Sequence, residues 1–306
     1  MGALRVHLFG TVSVEVDGGG SKLTLTRTTR GLLAYLLLYR ERLHARDSLA
    51  ALFWAEHPDE RARGCLNTAL WRLRRSLESG GVASGAYLVR LPSGEVGFNP
   101  KGEWWLDVAS FESAAHLAAS KPFHAVGPGE VQRLENALRL YTGDLMEGFT
   151  EDWTLRERER YRGLYLSSLF CLAQYHGYHG EYEKSLSFGQ RLLAFDPLRE
   201  EVHRHLMRVY LETGERAAAV RQYEICREAL ERELSIEPME ETRSLWVEAL
   251  GRAPEGRARL GVPARGEALD RAIHELRDAV QGFQDAKGVL ERAIALVERL
   301  SFAREG

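Results

Sequence analysis

The first hundred residues change from the alternating pattern of strands to the wider spacing of helices. Apolar side chains occupy every second position in 4–8 and 12–16, which predicts half-buried β-strands, and a further short strand is expected over 22–25. The compact apolar stretch 30–39 then predicts a helix, and a second short helix is expected to end near Phe53 and Trp54. Residues 55–60, which include Pro58, are expected to form a loop.

A third helix, predicted over 61–79, separates apolar from basic positions. Its buried stripe consists of leucines spaced three and four apart, Leu66, Leu70, Leu73 and Leu77. The opposite face and its flank carry basic and polar side chains and one tryptophan: Arg61, Arg63, Asn67, Thr68, Trp71, Arg72, Arg74 and Arg75. No acidic residue interrupts these arginines, whereas a solvated helix face usually mixes glutamate with arginine. Because arginine binds phosphate and guanine, this face is a candidate DNA contact, and an exposed face without a partner is the alternative.

Two strands joined by a turn follow the third helix, at 86–90 and 95–99. Strands, three helices and a terminal hairpin, in this order, predict a winged helix-turn-helix, whose third helix enters the major groove. Phosphate contacts that hold the domain in register on the duplex are expected from Arg27, Arg30, Arg46 and Arg90.

Residues 1–100 resemble the OmpR/PhoB-type winged helix of the SARP regulators, which are bacterial activators of secondary-metabolite pathways. The resemblance is carried by RGLLAYLLL (30–38), DSLAALFW (47–54) and RARGCLNTALWRLRRSL (61–77). It implies that the third helix is the recognition helix. It also implies that the loop at 55–60 lies where relatives contact RNA polymerase.

The chain beyond Asp107 is predicted to be helical, in segments near 107–119, 128–141, 150–178, 181–195, 199–212, 215–234 and 239–250. An internal repeat with an offset of 34 residues, the period of tetratricopeptide repeats, aligns Gly180 with Gly214 and Leu172 with Leu206. Helical pairs of this kind stack into a solenoid with a concave face.

Residues 107–250 also resemble the bacterial transcriptional activator domain that follows the winged helix in SARP proteins. The matching stretches are LDVASFE (106–112), ALRLYTGDL (137–145), DPLREEVHRHLM (196–207) and GERAAAVRQYE (214–224). The two modules together imply a multidomain, mainly α-helical regulator with a winged helix at 1–100 and tetratricopeptide-like repeats at 101–250.

The remaining chain, 251–303, is expected to contain a flexible basic linker (251–266) and a coiled-coil-like heptad helix (267–303). A solvated tether is favoured over a DNA-contacting arm for the linker. The helix is expected to form a homodimer, and folding back onto the repeats is the alternative. The candidate dimerisation residues are Leu269, Ile273, Leu276, Val280, Phe283, Leu290, Ile294 and Val297.

Charge divides the chain in the same way. The net charge is −3. Residues 1–100 contain 13 basic and 9 acidic residues, whereas residues 101–306 contain 28 basic and 35 acidic residues. This asymmetry is typical of a basic domain that binds a polyanion and is joined to an acidic part that does not bind it.

The sequence carries no recognisable catalytic or cofactor-binding pattern, so an enzyme, a cofactor and a metal site are not expected. The phosphate loop GxxxxGK[ST] is absent, and the histidine pairs at 176/179 and 203/205 lack ligands at metal-binding spacing. Three cysteines without CxxC spacing and the lack of an apolar run of about 20 residues indicate a cytoplasmic protein that does not associate with membranes.

The sequence therefore predicts a sequence-specific transcriptional activator that binds double-stranded promoter DNA and contacts RNA polymerase. Two alternatives remain open. In the first, a repeat scaffold uses its winged helix to dock protein. In the second, the repeats bind a small effector that controls DNA affinity.

Overall fold

The computed structural model describes residues 4–16, 23–78 and 82–251. These residues belong to one compact unit, which is mainly α-helical and carries a small sheet and a β-hairpin. The linker beyond Gly251 and the predicted heptad helix, with all its candidate dimerisation residues, lie outside the described residues.

The opening strands form as the alternating pattern predicts. Strands β1 (Leu4–His7) and β2 (Ser13–Val16) pair antiparallel, and Val6 lies opposite Val14 with both side chains buried. The strand predicted at 22–25 is wrong for its described residues, because 23–25 are irregular. The backbone N–H of Leu23 still donates to the carbonyl of Val14, which keeps this segment beside the sheet.

The three predicted helices and the hairpin of the winged helix follow in order. They are α1 (Arg27–Leu38), α2 (Arg46–Phe53), α3 (Asp59–Leu77), β3 (Leu88–Arg90) and β4 (Val96–Phe98). Helix α1 begins earlier than predicted because the Thr26 side chain accepts from the N–H of Thr29 and caps it. Helix α3 begins at Asp59, so the loop predicted to reach residue 60 ends at Pro58. Acidic side chains at 59 and 60 favour that start, since they lie at the positive end of the helix dipole.

A strand that the pattern did not predict completes the sheet. Strand β5 (Trp104–Leu106) runs parallel to β1, which gives the order β2-β1-β5. Helix α4 (Asp107–Ala119) begins directly after it, and the buried carboxylate of Asp107 accepts the backbone N–H groups of Leu8 and Phe9 at 2.9 and 3.0 Å. Burial raises the pKa of Asp107 although these donors act in the opposite direction. The sheet thus contains strands from both sides of residue 100, where the sequence predicts a domain boundary. That boundary stays a prediction.

The helical region confirms the seven predicted segments to within a few residues. After α4 come a 3-10 turn (Phe123–Ala125) and the helices α5 (Pro128–Leu138), α6 (Asp152–Tyr178), α7 (Tyr182–Phe195), α8 (Glu200–Glu212), α9 (Arg216–Leu234) and α10 (Glu240–Ala249). The pairs α6–α7 and α8–α9 are the two copies of the repeat. Gly180 and Gly214 turn each pair with φ values of 74° and 81°, where a side chain would be strained. Leu172 and Leu206 occupy equivalent, fully buried positions.

Two histidines, the buried His203 and the half-buried His205, connect the helices of the second half. His203 Nε2 donates to the Pro197 carbonyl at 3.0 Å, while its Nδ1 accepts from Gln222 at 2.7 Å. His205 Nε2 lies 2.8 Å from Ser185 Oγ. Since Nδ1 of His203 acts as an acceptor, this ring has to be neutral to make both bonds.

Acidification is expected to destabilise this helical region. Burial lowers the pKa of both His203 and His205 below the usual 6.5, with Glu200 and Glu201 partly opposing the shift at His203 and Arg208 adding to it at His205. Below about pH 6.5 the unfolded chain therefore binds more protons than the folded one, so the free energy of unfolding decreases as the pH is lowered. Melting temperatures followed by circular dichroism should drop from about pH 7.5 to 5.5. The drop should be smaller in the variant His203→Gln, His205→Gln, and an equal drop would contradict the assignment.

Candidate nucleic-acid interface

Helix α3 has one face in the core and the other open. Ala62, Leu66, Ala69, Leu73 and Leu77 are buried. Leu70, predicted in the buried stripe, is only half-buried because it lines a groove beside the hairpin. The opposite face is as predicted, with exposed side chains at Arg61, Arg63, Asn67, Thr68, Trp71, Arg72 and Arg75.

A groove runs between α3 and the hairpin and concentrates positive charge. Its walls include Asn67 and Trp71 of the helix, Arg46 of α2 and Arg90 of β3. Burial and the neighbouring charge of Arg90 lower the pKa of Arg46, although an arginine stays protonated at neutral pH. Two guanidinium groups held this close attract an anion strongly.

A second hollow lies on the other side of α3. Its walls combine Arg61, Thr68 and Arg72 of α3 with Thr26 and Thr28 at the beginning of α1. The open face of α3 is therefore bordered by the hairpin on one side and by the N-terminal end of α1 on the other. Arg30, in the first turn of α1, is half-buried.

Three candidate arginines, Arg27, Arg63 and Arg74, are already engaged by acidic residues. Arg27 pairs with Glu151 at 3.3 Å, donates to the Gly148 carbonyl, and holds its guanidinium 4.6 Å from the centre of the Phe149 ring. These contacts direct Arg27 toward the helical region rather than toward the face of α3. Arg63 pairs with Asp47 of α2 at 2.7 Å, and both side chains are exposed.

The end of α3 holds the hairpin through Glu78, which the sequence analysis did not single out. Its side chain is 2% exposed and accepts three backbone N–H groups, from Gly85, Tyr87 and Leu88, at 3.0 to 3.1 Å. Arg74 lies 3.4 Å from the same carboxylate and donates to the carbonyl of Leu88 at 3.0 Å. In the sequence this pair has the spacing of an ordinary i,i+4 ion pair, which conceals its role in positioning the hairpin.

The helical region contacts α1 closely. The Tyr39 hydroxyl donates to Glu157 of α6 at 2.8 Å, and burial together with this carboxylate raises the pKa of Tyr39 to about 12. Tyr35 and Trp153 meet edge to face with ring centres 5.2 Å apart. Gly31 packs tightly against the helical region, since an added Cβ would lie 3.2 Å from the Phe149 ring, closer than ordinary van der Waals contact. The elements that carry the basic face therefore pack closely against the helical region.

The described residues offer neither a metal-binding cluster nor a helix that could span a membrane. His176 is buried and bonded to Glu135 at 2.9 Å, and within the described residues no group of three or more histidine, cysteine or acidic side chains is arranged to hold a metal ion. The helices of the described part of the chain are too short or too polar to cross a bilayer.

The helical region is similar to a known protein domain. Residues 106–250 match the bacterial transcriptional activator domain. The transcriptional regulatory protein MoaR1 of Mycobacterium tuberculosis is 28% identical over 266 residues, which cover 83% of this chain and 81% of MoaR1. The regulatory protein AfsR of Streptomyces coelicolor is 29% identical over 246 residues, covering 78% of this chain and 23% of AfsR. The resemblance to SARP-type regulators is confirmed. Residues 106–250 are thus similar to the bacterial transcriptional activator domain, and the relatives that this chain resembles are transcriptional regulators.

A solved structure supports the same architecture. EmbR of Mycobacterium tuberculosis, determined in complex with a low-affinity phosphopeptide, superposes with a TM-score of 0.63 over 92% of this chain and 72% of EmbR. Sequence identity is 21%, so the similarity concerns the fold. A winged helix followed by a helical, tetratricopeptide-like domain fits both proteins.

Proposed function

We propose that this SARP-type regulator is a sequence-specific DNA-binding activator whose helix α3 enters the major groove of promoter DNA. The observation that carries the proposal is the open face of α3, where Arg61, Arg72 and Arg75 are exposed without an acidic neighbour on that face. A major groove about 12 Å wide admits one helix, and arginine binds guanine edges bidentately. With 19 residues, α3 is long enough to cross the groove.

Phosphate contacts on both sides of α3 would keep the helix in register. Arg46 and Arg90 line the groove toward the hairpin, and the start of α1 borders the other side. We assign base contacts to Asn67, Arg72 and Arg75, and phosphate contacts to the arginines at the edges. Arg27, Arg63 and Arg74 contribute less, because each already has an acidic partner.

Activation would require a surface for RNA polymerase, and we assign it to the connection between α2 and α3. Leu52, in the last turn of α2, is 41% exposed, and Trp54 and His57 of the connection line a hollow with the start of α3. We further propose that residues 1–100 bind DNA and that residues 101–250 support activation. Residues 267–303 would join two copies of the chain into a dimer, and the protein would act in the cytoplasm. A dimer of this kind would bind two half-sites whose spacing follows from its symmetry.

Binding of the full-length protein to DNA tests the proposal. We expect fluorescence anisotropy to show tight binding to a duplex selected from a random pool and much weaker binding to its scrambled version. For about five to nine phosphate contacts, the slope of log affinity against log salt should lie between about −4 and −8. Absence of binding even at low salt would refute DNA recognition and would favour a protein-docking scaffold.

A further inference from the structure

Trp71 lies on the exposed surface of α3, and attraction to phosphate does not explain why an indole is exposed there. Its side chain is 58% exposed, although tryptophan is usually well buried. The other exposed side chains of this face are arginine, asparagine and threonine. An indole left in water at the centre of a basic surface indicates a contact that is made only when a partner is bound.

The surroundings of Trp71 hold the indole in place. The guanidinium of Arg75 lies 5.3 Å from the ring centre, which is within the range of a cation–π contact. Trp71 also shares the groove with Asn67 and the half-buried Leu70, so the ring has an apolar neighbour on its own helix. A side chain supported in this way loses little further freedom when it binds.

We propose that Trp71 recognises thymine, by packing its indole against the 5-methyl group of one or two thymines in the major groove. The inference rests on the proposed insertion of α3. The methyl group of thymine is the apolar group that base pairs present in that groove, so it is the natural partner of an exposed apolar ring. Arg72 and Arg75 lie one and four residues away and favour guanine. The expected site therefore has thymine close to guanine.

Substitution of deoxyuridine for thymine tests the inference, because it removes the methyl group and leaves base pairing unchanged. The full-length protein is titrated with a duplex selected from a random pool, and each thymine of the site is replaced in turn. We expect about fourfold weaker binding at one or two positions, the effect of one buried methyl group, and unchanged binding at the others.

Variants assign the effect to the residue. With Trp71→Ala the thymine and deoxyuridine duplexes should bind equally, whereas Trp71→Phe should retain part of the difference. Leu91→Ala removes another exposed apolar side chain, 37% exposed in the turn of the hairpin, and should leave the full fourfold difference. Because Trp71 is exposed, circular dichroism and melting temperature should be unchanged in its variants.

Three results would overturn the inference, and they are distinguishable. Binding that is insensitive to deoxyuridine at every thymine would assign Trp71 to sugar contacts or to a protein partner, while DNA recognition itself would stand. A deoxyuridine effect that persists in Trp71→Ala would assign the methyl contact to another residue. Failure to select any duplex would refute the proposed function, and the inference with it.

Discussion

Reversing Arg72 and Arg75 together to glutamate is expected to weaken binding to the selected duplex by at least about 100-fold and to abolish its preference over scrambled DNA. Each lost guanine contact costs about 1–3 kcal/mol, and each introduced carboxylate adds repulsion from the DNA backbone. Fold and stability should be unchanged, because both side chains are exposed on α3. Fluorescence anisotropy at constant salt measures the change.

A matched variant separates this local effect from the change in net charge. Arg221 and Arg227 are exposed on α9, and reversing both changes the net charge by the same amount. This control should bind almost as tightly as the unmodified protein and keep its sequence preference. If both double variants lost affinity equally, the long-range charge of the protein rather than the face of α3 would govern binding.

Glu78→Ala is expected to give the largest loss of stability in the winged helix, lowering its free energy of unfolding by about 3 kcal/mol. The substitution leaves the N–H groups of Gly85, Tyr87 and Leu88 without their acceptor and removes the acidic partner of Arg74. An unsatisfied buried donor costs more than the original hydrogen bond contributed. Urea unfolding followed by tryptophan fluorescence measures the loss.

Local measurements show whether the hairpin is the part affected. Amide hydrogens at Gly85, Tyr87 and Leu88 should exchange much faster in Glu78→Ala, while those of α6 should be unchanged. Glu78→Gln keeps one accepting oxygen and should have an intermediate effect. Glu56→Ala, at an exposed position in the α2–α3 connection, should change stability by less than about 0.5 kcal/mol. Unchanged exchange in the hairpin of Glu78→Ala would contradict its role.

Long and strongly periodic segments could be predicted from the chain alone, and short or unusual ones could not. The seven helical segments beyond residue 106 were found because many turns of 3.6-residue spacing repeat the same signal. Strand β5 has three residues, too few for an alternating pattern, and it forms because β1 offers it a partner. The sequence places the start of α3 two residues too late, because Pro58 indicates a loop and the helix begins directly after it.

Residue roles were predictable where a side chain acts through its own helix. The exposure of Arg61, Arg72 and Arg75 follows from their angular separation from the leucine stripe of α3. The role of Glu78 did not follow, because its partners belong to the next element of the chain.

By itself, the sequence of this protein determined the order of its elements, the basic face of α3, the repeat of helical pairs and the resemblance to SARP-type regulators. These properties depend on residues that are neighbours along the chain. Only the tertiary structure decided which arginines remain available to a partner: Arg27 meets Glu151 from 124 positions away, whereas Arg72 stays exposed. Such contacts arise when packing brings distant segments together, and no local pattern encodes them. The tertiary structure also joined the sheet to the helical region, where the Asp107 carboxylate accepts the backbone N–H groups of Leu8 and Phe9, directly after β1, across 99 and 98 positions.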